Sequence, residues 1–193
     1  MLGHMVITEK ESALSNLLAA YEGEINANAR YKAFAQKAET EGLPKAASLF
    51  RAAARAEQIH AGNHARVIRR MGGHARAEIR PFHVKNTLEN LRAALFGEQR
   101  EIDSLYPAFL EHAQSNWDVT AARTFTWAME AEKSHAKLYS DAVRAFENGG
   151  ITHWTLGDLA HYVCTVCGYT ATNHEADNCP VCNFLWERFE VIR

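Results

Sequence analysis

The chain has 193 residues, of which 47% are hydrophobic, and its 21 basic and 23 acidic side chains give a formal charge of −2. This length predicts one large domain, or one domain with a small appendix, and the charge argues against binding to nucleic acid or to an anionic membrane. No apolar run approaches the roughly 20 residues that a membrane-spanning helix needs, and the N-terminal residues lack the apolar stretch of a secretory signal. Gly3-His4-Met5 resembles a cloning remnant, so residues 1–5 are expected to have no functional role.

The first part of the chain predicts a helical hairpin rich in Ala, Leu, Glu, Lys and Arg. Its first helix opens with a sequence typical of a capping box, Thr8-x-x-Glu11, and is expected to run to about residue 41. Gly42 ends it, and Pro44 suits the first turn of a second helix that ends at Gly72-Gly73. The short link favours an antiparallel pair.

A second hairpin is predicted after a connection over residues 74–85. Its helices are expected from residue 86 or 87 to about 116, and from about 118 to 148, with Pro107 kinking the first or marking an irregular turn. At roughly 3.3 Å per residue, the connection covers about 40–50 Å, which is the length of a helix of about 28 residues. A ferritin-like four-helix bundle requires one such crossover. The same link is compatible with an exchange of hairpins between two subunits.

Both hairpins contain the same metal-binding pattern, a Gly-Glu pair followed at matching spacing by Glu-x-x-His. Carboxylate-bridged di-iron bundles take one Glu from each of two helices and one Glu-x-x-His from each of the other two. Residues at i and i+3 share a helix face, and a pair of cations would relieve the repulsion among buried carboxylates. The alternative is a set of surface glutamates. The pattern predicts a di-iron site with the ligands Glu24, Glu57, His60, Glu98, Glu132 and His135.

Further side chains lie near this set by helical spacing. Glu101 follows Glu98 by three residues and predicts a seventh ligand, the alternative being a solvated neighbour. Tyr31 and Tyr106 are expected to donate hydrogen bonds to ligand carboxylates or to bound oxygen species, or else only to fill core volume. His64 is expected to be exposed rather than to contact a metal ligand.

The C-terminal tail contains two Cys-x-x-Cys pairs, which predict a tetrahedral site of four thiolates. Their clustering favours ligands in a reducing compartment over disulfides, and a domain this short needs the metal for much of its folding energy. Zinc ribbons use similar pairs. A single iron is favoured by the Cys-Gly-Tyr and Cys-Pro-x-Cys sequences and by nearby aromatic residues. The predicted ligands are Cys164, Cys167, Cys179 and Cys182.

Residues 10–193 resemble the rubrerythrin family in both domains and in their order. The resemblance implies a mainly α protein, with a ferritin-like four-helix bundle at 8–148 and a rubredoxin-like four-cysteine domain of short β-strands at 158–193. It also implies a non-haem di-iron centre and a single iron held by the cysteines, with zinc possible in recombinant protein. The matching segments are Gly23-Glu24 to Arg30-Tyr31, Glu57-x-x-His60, Gly97-Glu98-x-x-Glu101, Tyr106-Pro107, Glu132-x-x-His135 and the two cysteine pairs.

The resemblance further implies a peroxidase that reduces hydrogen peroxide to water in oxidative-stress defence, with electrons from an external NAD(P)H-linked reductase. Tyr31, Tyr106 and Glu101 then belong to the catalytic site, and Glu101 and His60 exchange as ligands of one iron when its oxidation state changes. Two alternatives stay open: a ferroxidase or iron-handling bundle, and a non-catalytic zinc-ribbon or electron-carrier module.

The position of the tail adds an expectation about assembly. The tail follows the last helix of a bundle about 40 Å long, and the di-iron site is expected near its middle. A tail beside its own bundle end would then be too far for fast electron transfer. Together with the resemblance, this predicts a head-to-tail homodimer, or a larger even oligomer, in the cytoplasm.

Overall fold

The structure is a computed structural model that describes residues 13–149, 159–174 and 176–193. These residues form a helical bundle and a small antiparallel sheet, and no helix among them is long and apolar enough to cross a membrane. The predicted capping box at Thr8 and Glu11 lies outside the described residues. The helices are α1 (Ala13–Thr40), α2 (Pro44–Arg70), α3 (Thr87–Arg100), α4 (Tyr106–Ser115) and α5 (Val119–Glu147).

The two predicted hairpins pack against each other within one chain. Helix α1 lies along α2, while α3 and α4 lie along α5, and contacts between α2 and α5 close the bundle. The extended segment 71–86 crosses from the end of α2 to the start of α3. The chain therefore has the ferritin-like arrangement with one long crossover.

Local sequence accounts for the ends of these helices. After α1, Gly42 takes a φ of 71°, and the amide of Leu43 donates to the carbonyl of Ala38 at 2.9 Å, which satisfies a carbonyl of the last turn. The side chain of Asn86 accepts from the amide of Glu89 to begin α3. Asp118 accepts from the amide of Ala121 to begin α5.

The third predicted helix is divided by a π-helical segment, Glu101–Leu105. Pro107 has no amide hydrogen to continue an α-helical ladder, and the amide of Tyr106 bonds back to the carbonyl of Glu101. This confirms the irregular turn expected at Pro107. Such π-bulges occur frequently at functional sites, and this one begins at a predicted site residue.

The tail forms a three-stranded sheet in the order β2-β1-β3, with β1 at His161–Cys164, β2 at Thr170–Ala171 and β3 at Phe189–Ile192. Both pairings are antiparallel. Val163 of β1 packs against Ala52, Ala56 and Ile59, so the sheet lies on the outer face of α2. The tail is thereby placed along the side of the bundle rather than at its end.

Candidate metal centres

The six predicted bundle ligands come together as two overlapping groups. In each group, one nitrogen or oxygen atom from every residue lies within 4.8 Å of the others. Glu57 and Glu132 belong to both groups, which is the arrangement expected of carboxylates that bridge two ions. The first group adds Glu24 and His60, and the second adds Glu98 and His135.

The six residues of this cluster are buried, each being at most 1% exposed. Among the described residues, Oε2 of Glu24 and Oε2 of Glu98 are buried without a hydrogen-bond partner. Buried carboxylate oxygens are normally paired, because their desolvation is costly. Two cations would satisfy these atoms, so the donor set fits a di-iron centre.

Electrostatics within the cluster show how the chain behaves without cations. The pKa of Glu98 is raised to about 7, mainly by burial and secondly by the charge of Glu132. Burial, the largest single effect, lowers the pKa of His135, but the charges and hydrogen bonds of Glu132 and Glu98 together outweigh it and raise that pKa to about 9. Burial would raise the pKa of Glu132, and the adjacent His60 and His135 instead lower it to about 2. The cluster therefore holds protons at neutral pH, and metal binding would release them.

Each of the two histidines directs Nδ1 toward the carboxylates of the cluster and Nε2 toward the C-terminal tail. Nδ1 of His60 lies 3.0 Å from Glu57 and 2.8 Å from Glu132, while Nδ1 of His135 lies 2.6 Å from Glu132. Nε2 of His60 lies 3.0 Å from the carbonyl oxygen of Cys167. A carbonyl only accepts, so Nε2 carries a hydrogen, and Nδ1 would bind a metal once it has released its own proton.

Both tyrosines of the predicted site donate to ligand carboxylates. Tyr31 Oη donates to Glu98 at 2.6 Å, and Tyr106 Oη donates to Glu24. The expectation that His64 would be exposed is wrong, because its side chain is 0% exposed. His64 shares the inner face of α2 with the ligand His60, and its ring lies 3.2 Å from Tyr106 Oη and 3.1 Å from Oγ1 of Thr124. Sequence reasoning also missed Thr124, which carries no motif.

Glu101 occupies a different position from the other predicted ligands. It is half-buried, it lies at the start of the π-helical segment, and it is absent from both ligand groups. Its side chain instead lines a cavity beside the cluster. Its role as a seventh ligand stays a prediction.

The four cysteines form the second centre. Their sulfur atoms lie within 4.8 Å of one another, and all four are free thiols. Gly168 takes a φ of 85° and donates to the carbonyl of Cys164 at 2.9 Å. After the second cysteine pair, Asn183 also has a positive φ, of 60°, and its amide donates to the carbonyl of Cys179 at 2.9 Å. Sequence reasoning missed Asn183, although Asn is a residue that tolerates this conformation.

The two centres lie next to each other in one chain. Besides the bond from His60 to Cys167, His135 Nε2 lies 3.3 Å from the carbonyl oxygen of Gly168, and the side chain of Asn63 donates to Val166 at 2.8 Å. The expectation that the tail lies too far from its own di-iron site is therefore wrong. It assumed a tail at the bundle end, whereas the sheet packs on α2 and α5 at the level of the ligands.

These features define a class of protein, a ferritin-like di-iron bundle joined to a rubredoxin-like four-cysteine domain. The rubrerythrin family model matches residues 15–143, and the model of the rubrerythrin rubredoxin-like domain matches residues 162–190. The chain belongs to the rubrerythrin family. Its cofactors are accordingly a di-iron centre and an iron held by four cysteines, and the family is one of oxidoreductases.

Individual relatives agree with this assignment. Rubrerythrin-2 of Clostridium acetobutylicum is 38% identical, over 91% of this chain and 94% of the relative. Nigerythrin of Nitratidesulfovibrio vulgaris is 34% identical, over 89% of this chain and 82% of the relative. The structure of nigerythrin in its mixed-valence state superposes with a TM-score of 0.84 at 31% identity, covering 98% of this chain and 91% of the other. A bacterioferritin of Rhodobacter capsulatus, with a TM-score of 0.69 at 21% identity over 76% of this chain and 92% of the other, shares the bundle fold.

Proposed function

We propose that the protein is a peroxidase that reduces hydrogen peroxide to two molecules of water, with two electrons and two protons consumed in each turnover. The observation that carries this proposal is the bond between His60 and Cys167. It joins a ligand of the bundle centre to a ligand of the four-cysteine centre by one side chain and one hydrogen bond. A bundle that only stores or oxidises iron has no need of such an electron inlet.

The four-cysteine centre passes one electron at a time, so it acts twice per turnover. We assign its reduction to an external NAD(P)H-linked reductase. Cys182 is the partly exposed ligand, whereas the other three cysteines are buried. The reductase would therefore approach the solvent-exposed edge near Cys182, and electrons would leave the tail through Cys167 toward His60.

The bundle residues hold the iron pair, which when bound supplies two electrons and polarises the O–O bond. In this proposal Glu57 and Glu132 would help to hold both ions, since both belong to the two ligand groups. Glu24 and Glu98 each hold one ion, and Tyr31 and Tyr106 orient them. Glu101 and His60 are alternative ligands of the same ion.

Protons have a route to the site that is separate from the electron route. Tyr106 donates to Glu24 and contacts His64, and His64 contacts Thr124. Thr124 lines a cavity of about 270 Å³, so the chain of polar groups connects an opening at the surface with a ligand carboxylate. We propose that Tyr106 and His64 pass protons along it, which makes Tyr106 a proton donor as well as an orienting group.

The proposal is tested by replacing Cys164 and Cys182 with serine. NAD(P)H-driven reduction of hydrogen peroxide should be lost, while the bundle still oxidises ferrous iron and still reacts once with peroxide after chemical reduction. Peroxide turnover that persists with NAD(P)H and the reductase would contradict the electron route. An intact protein that consumes oxygen with ferrous iron but never reduces peroxide would favour the ferroxidase alternative.

A head-to-tail homodimer in the cytoplasm belongs to the same proposal. The contact between bundle and tail can also be made by a tail exchanged between two chains, and four cysteines without a disulfide suit a reducing compartment. Mixing a Cys164→Ser chain with a His60→Ala chain tests the exchange. Recovery of activity in the mixed oligomer requires a tail that serves its partner, whereas an active monomer in analytical ultracentrifugation would contradict the dimer.

A further inference from the structure

The repeated Gly-Glu pairs contain two glycines that neither backbone conformation nor packing explains. Gly23 lies inside α1 and Gly97 inside α3, and neither has a positive φ. A Cβ at Gly23 would meet no atom within 4 Å, and one at Gly97 would meet only Tyr31 Oη at 3.8 Å, which is ordinary contact. A glycine inside a helix costs about 0.5–1 kcal/mol relative to alanine. This destabilisation occurs at two positions, and each glycine is directly followed by a predicted metal ligand.

Both glycines line the same cavity. It has a volume of about 470 Å³ and lies between α1, α3 and the crossover segment. Its apolar wall includes Phe82, Phe96 and Leu105, and Glu101 is the predicted site residue that lines it in the described part of the chain. The cavity therefore lies beside the bundle centre, against α1 and α3, whereas the tail packs on α2 and α5.

The outer wall of this cavity is held in place by Asn26. Its side-chain amide donates to the carbonyl of Glu78 at 2.9 Å, and its oxygen accepts from the amide of Arg80 at 2.8 Å. Arg80 also pairs with Glu22 at 2.9 Å. These bonds fasten the crossover to α1, so the space beneath it is built into the fold.

The size of the cavity exceeds what hydrogen peroxide requires. A water molecule occupies about 30 Å³ of liquid, and hydrogen peroxide has only one more oxygen atom. We propose that this cavity is the route by which the oxidant reaches the di-iron ligands, that Gly23 and Gly97 hold it open, and that it admits small alkyl hydroperoxides as well as hydrogen peroxide. This inference rests on the proposed peroxidase function and names its substrate class.

The reaction with an alkyl hydroperoxide balances in the same way. The O–O bond breaks and two electrons and two protons are taken up, so that the alkyl fragment leaves as an alcohol and the other oxygen as water; a bound iron pair would supply the two electrons. The apolar wall formed by Phe82, Phe96 and Leu105 faces the alkyl group. No further reductant is needed beyond the one assigned to the tail.

The test enlarges the two glycines and compares two oxidants. Gly23→Leu and Gly97→Leu should each lower kcat/KM for tert-butyl hydroperoxide by about tenfold or more, which corresponds to about 1.4 kcal/mol, with a smaller loss for hydrogen peroxide. Gly62→Leu is the matched control, because Gly62 lies inside α2 and outside this cavity, and a Cβ added there would meet no atom within 4 Å. That variant should leave both rates unchanged.

A second measurement does not depend on turnover. In zinc-loaded protein, ligand-observed NMR should detect tert-butyl hydroperoxide bound to the wild type and to Gly62→Leu, and much less bound to the two cavity variants. Gly23→Ala and Gly97→Ala should raise the melting temperature of the metal-free protein, since each removes a helix glycine without a clash. If a leucine variant fails to load iron, the two rates and the NMR signal of the alanine variants decide the question, because their added methyl groups point into the same space.

The outcomes separate this inference from the function on which it rests. If the wild type reduces no peroxide at all, the proposed function fails. If the wild type reduces both peroxides and the cavity variants keep both rates and the NMR signal, the cavity is not the route. Equal losses for the two oxidants would overturn the size selection.

Discussion

Gly168 provides the sharpest test of contact between the two centres. An alanine Cβ there would lie 2.3 Å from Nε2 and 2.7 Å from Cδ2 of His60, and 3.3 Å from the carbonyl oxygen of Ala56. His60 cannot move aside, because its Nδ1 is held by Glu57 and Glu132. The tail must therefore shift away from α2 in Gly168→Ala.

The size of the effect follows from the bonds that this shift breaks. They are the contacts of His60 with Cys167 at 3.0 Å, and of His135 with Gly168 at 3.3 Å and with Thr170 at 3.1 Å. At about 1 kcal/mol net for each bond, the docked arrangement loses about 2–3 kcal/mol. The ratio of docked to undocked tails then falls by roughly 30- to 150-fold. The positive φ of 85° adds a strain of about 1–2 kcal/mol for any residue with a Cβ.

The assay is stopped-flow absorbance of the four-cysteine iron. Fully reduced protein is mixed with hydrogen peroxide, and the reoxidation of the tail iron by the bundle is followed. Gly168→Ala should slow this step by about tenfold or more. Gly72→Ala is the matched control, because Gly72 has a φ of 79° but no atom within 4 Å of an added Cβ. It introduces the same backbone strain away from the tail.

Asn63→Leu removes the bond to Val166 at 2.8 Å without altering the tail itself, and a loss of about 1 kcal/mol should slow the same step several-fold. If Gly168→Ala retains the visible spectrum of its tail iron and reoxidises at the wild-type rate, electrons do not pass through the contact at Cys167. A wild-type rate in both variants would refute the reasoning completely.

Three further predictions concern the bundle. Tyr31→Phe should destabilise the metal-free protein by about 1–2 kcal/mol in urea denaturation, whereas Tyr139→Phe should be neutral or stabilising, because the buried Tyr139 hydroxyl has no partner among the described residues. The metal-free protein should lose stability as the pH rises from 5 to 9. Folding raises the pKa of Glu98 from 4.5 to about 7 and that of His135 from 6.5 to about 9, so the folded chain binds protons that the unfolded chain has already lost. A free energy of unfolding in urea that does not change over this pH range would contradict the buried charges. Glu101→Gln should keep the iron content measured by elemental analysis but slow turnover, and a loss of iron would instead make Glu101 an essential ligand.

Both metal centres were predictable because their residues follow rules of local spacing. The i, i+3 spacing of Glu57 and His60 places both on one helix face whatever the helix packs against, and Cys164 and Cys167 form a turn that four thiolates can share. The irregular turn before Pro107 was predictable for the same reason, since a missing amide hydrogen acts on its immediate neighbours.

The two errors both concern contacts between distant parts of the chain. His64 was expected at the surface, because its spacing from His60 does not indicate which other helices pack over it. In the structure, α4 and α5 cover it through Tyr106 and Thr124. The tail was expected far from the bundle centre, because helix arithmetic measures length along the chain and not the direction in which the chain returns. Asn183, whose positive φ repeats that of Gly168, was missed as well.

By itself, the sequence predicted which residues gather at the two metal centres, since the short-range spacing of Glu, His and Cys places candidate ligands on shared faces and turns. Only the tertiary structure decided how the centres communicate. The bond between positions 60 and 167, and the cavity that joins Gly23 to Gly97, depend on which faces of α1, α2, α3 and the tail meet. Packing settles those faces through apolar contacts such as Val163 on α2, and such long-range contacts leave no periodic signal in the sequence.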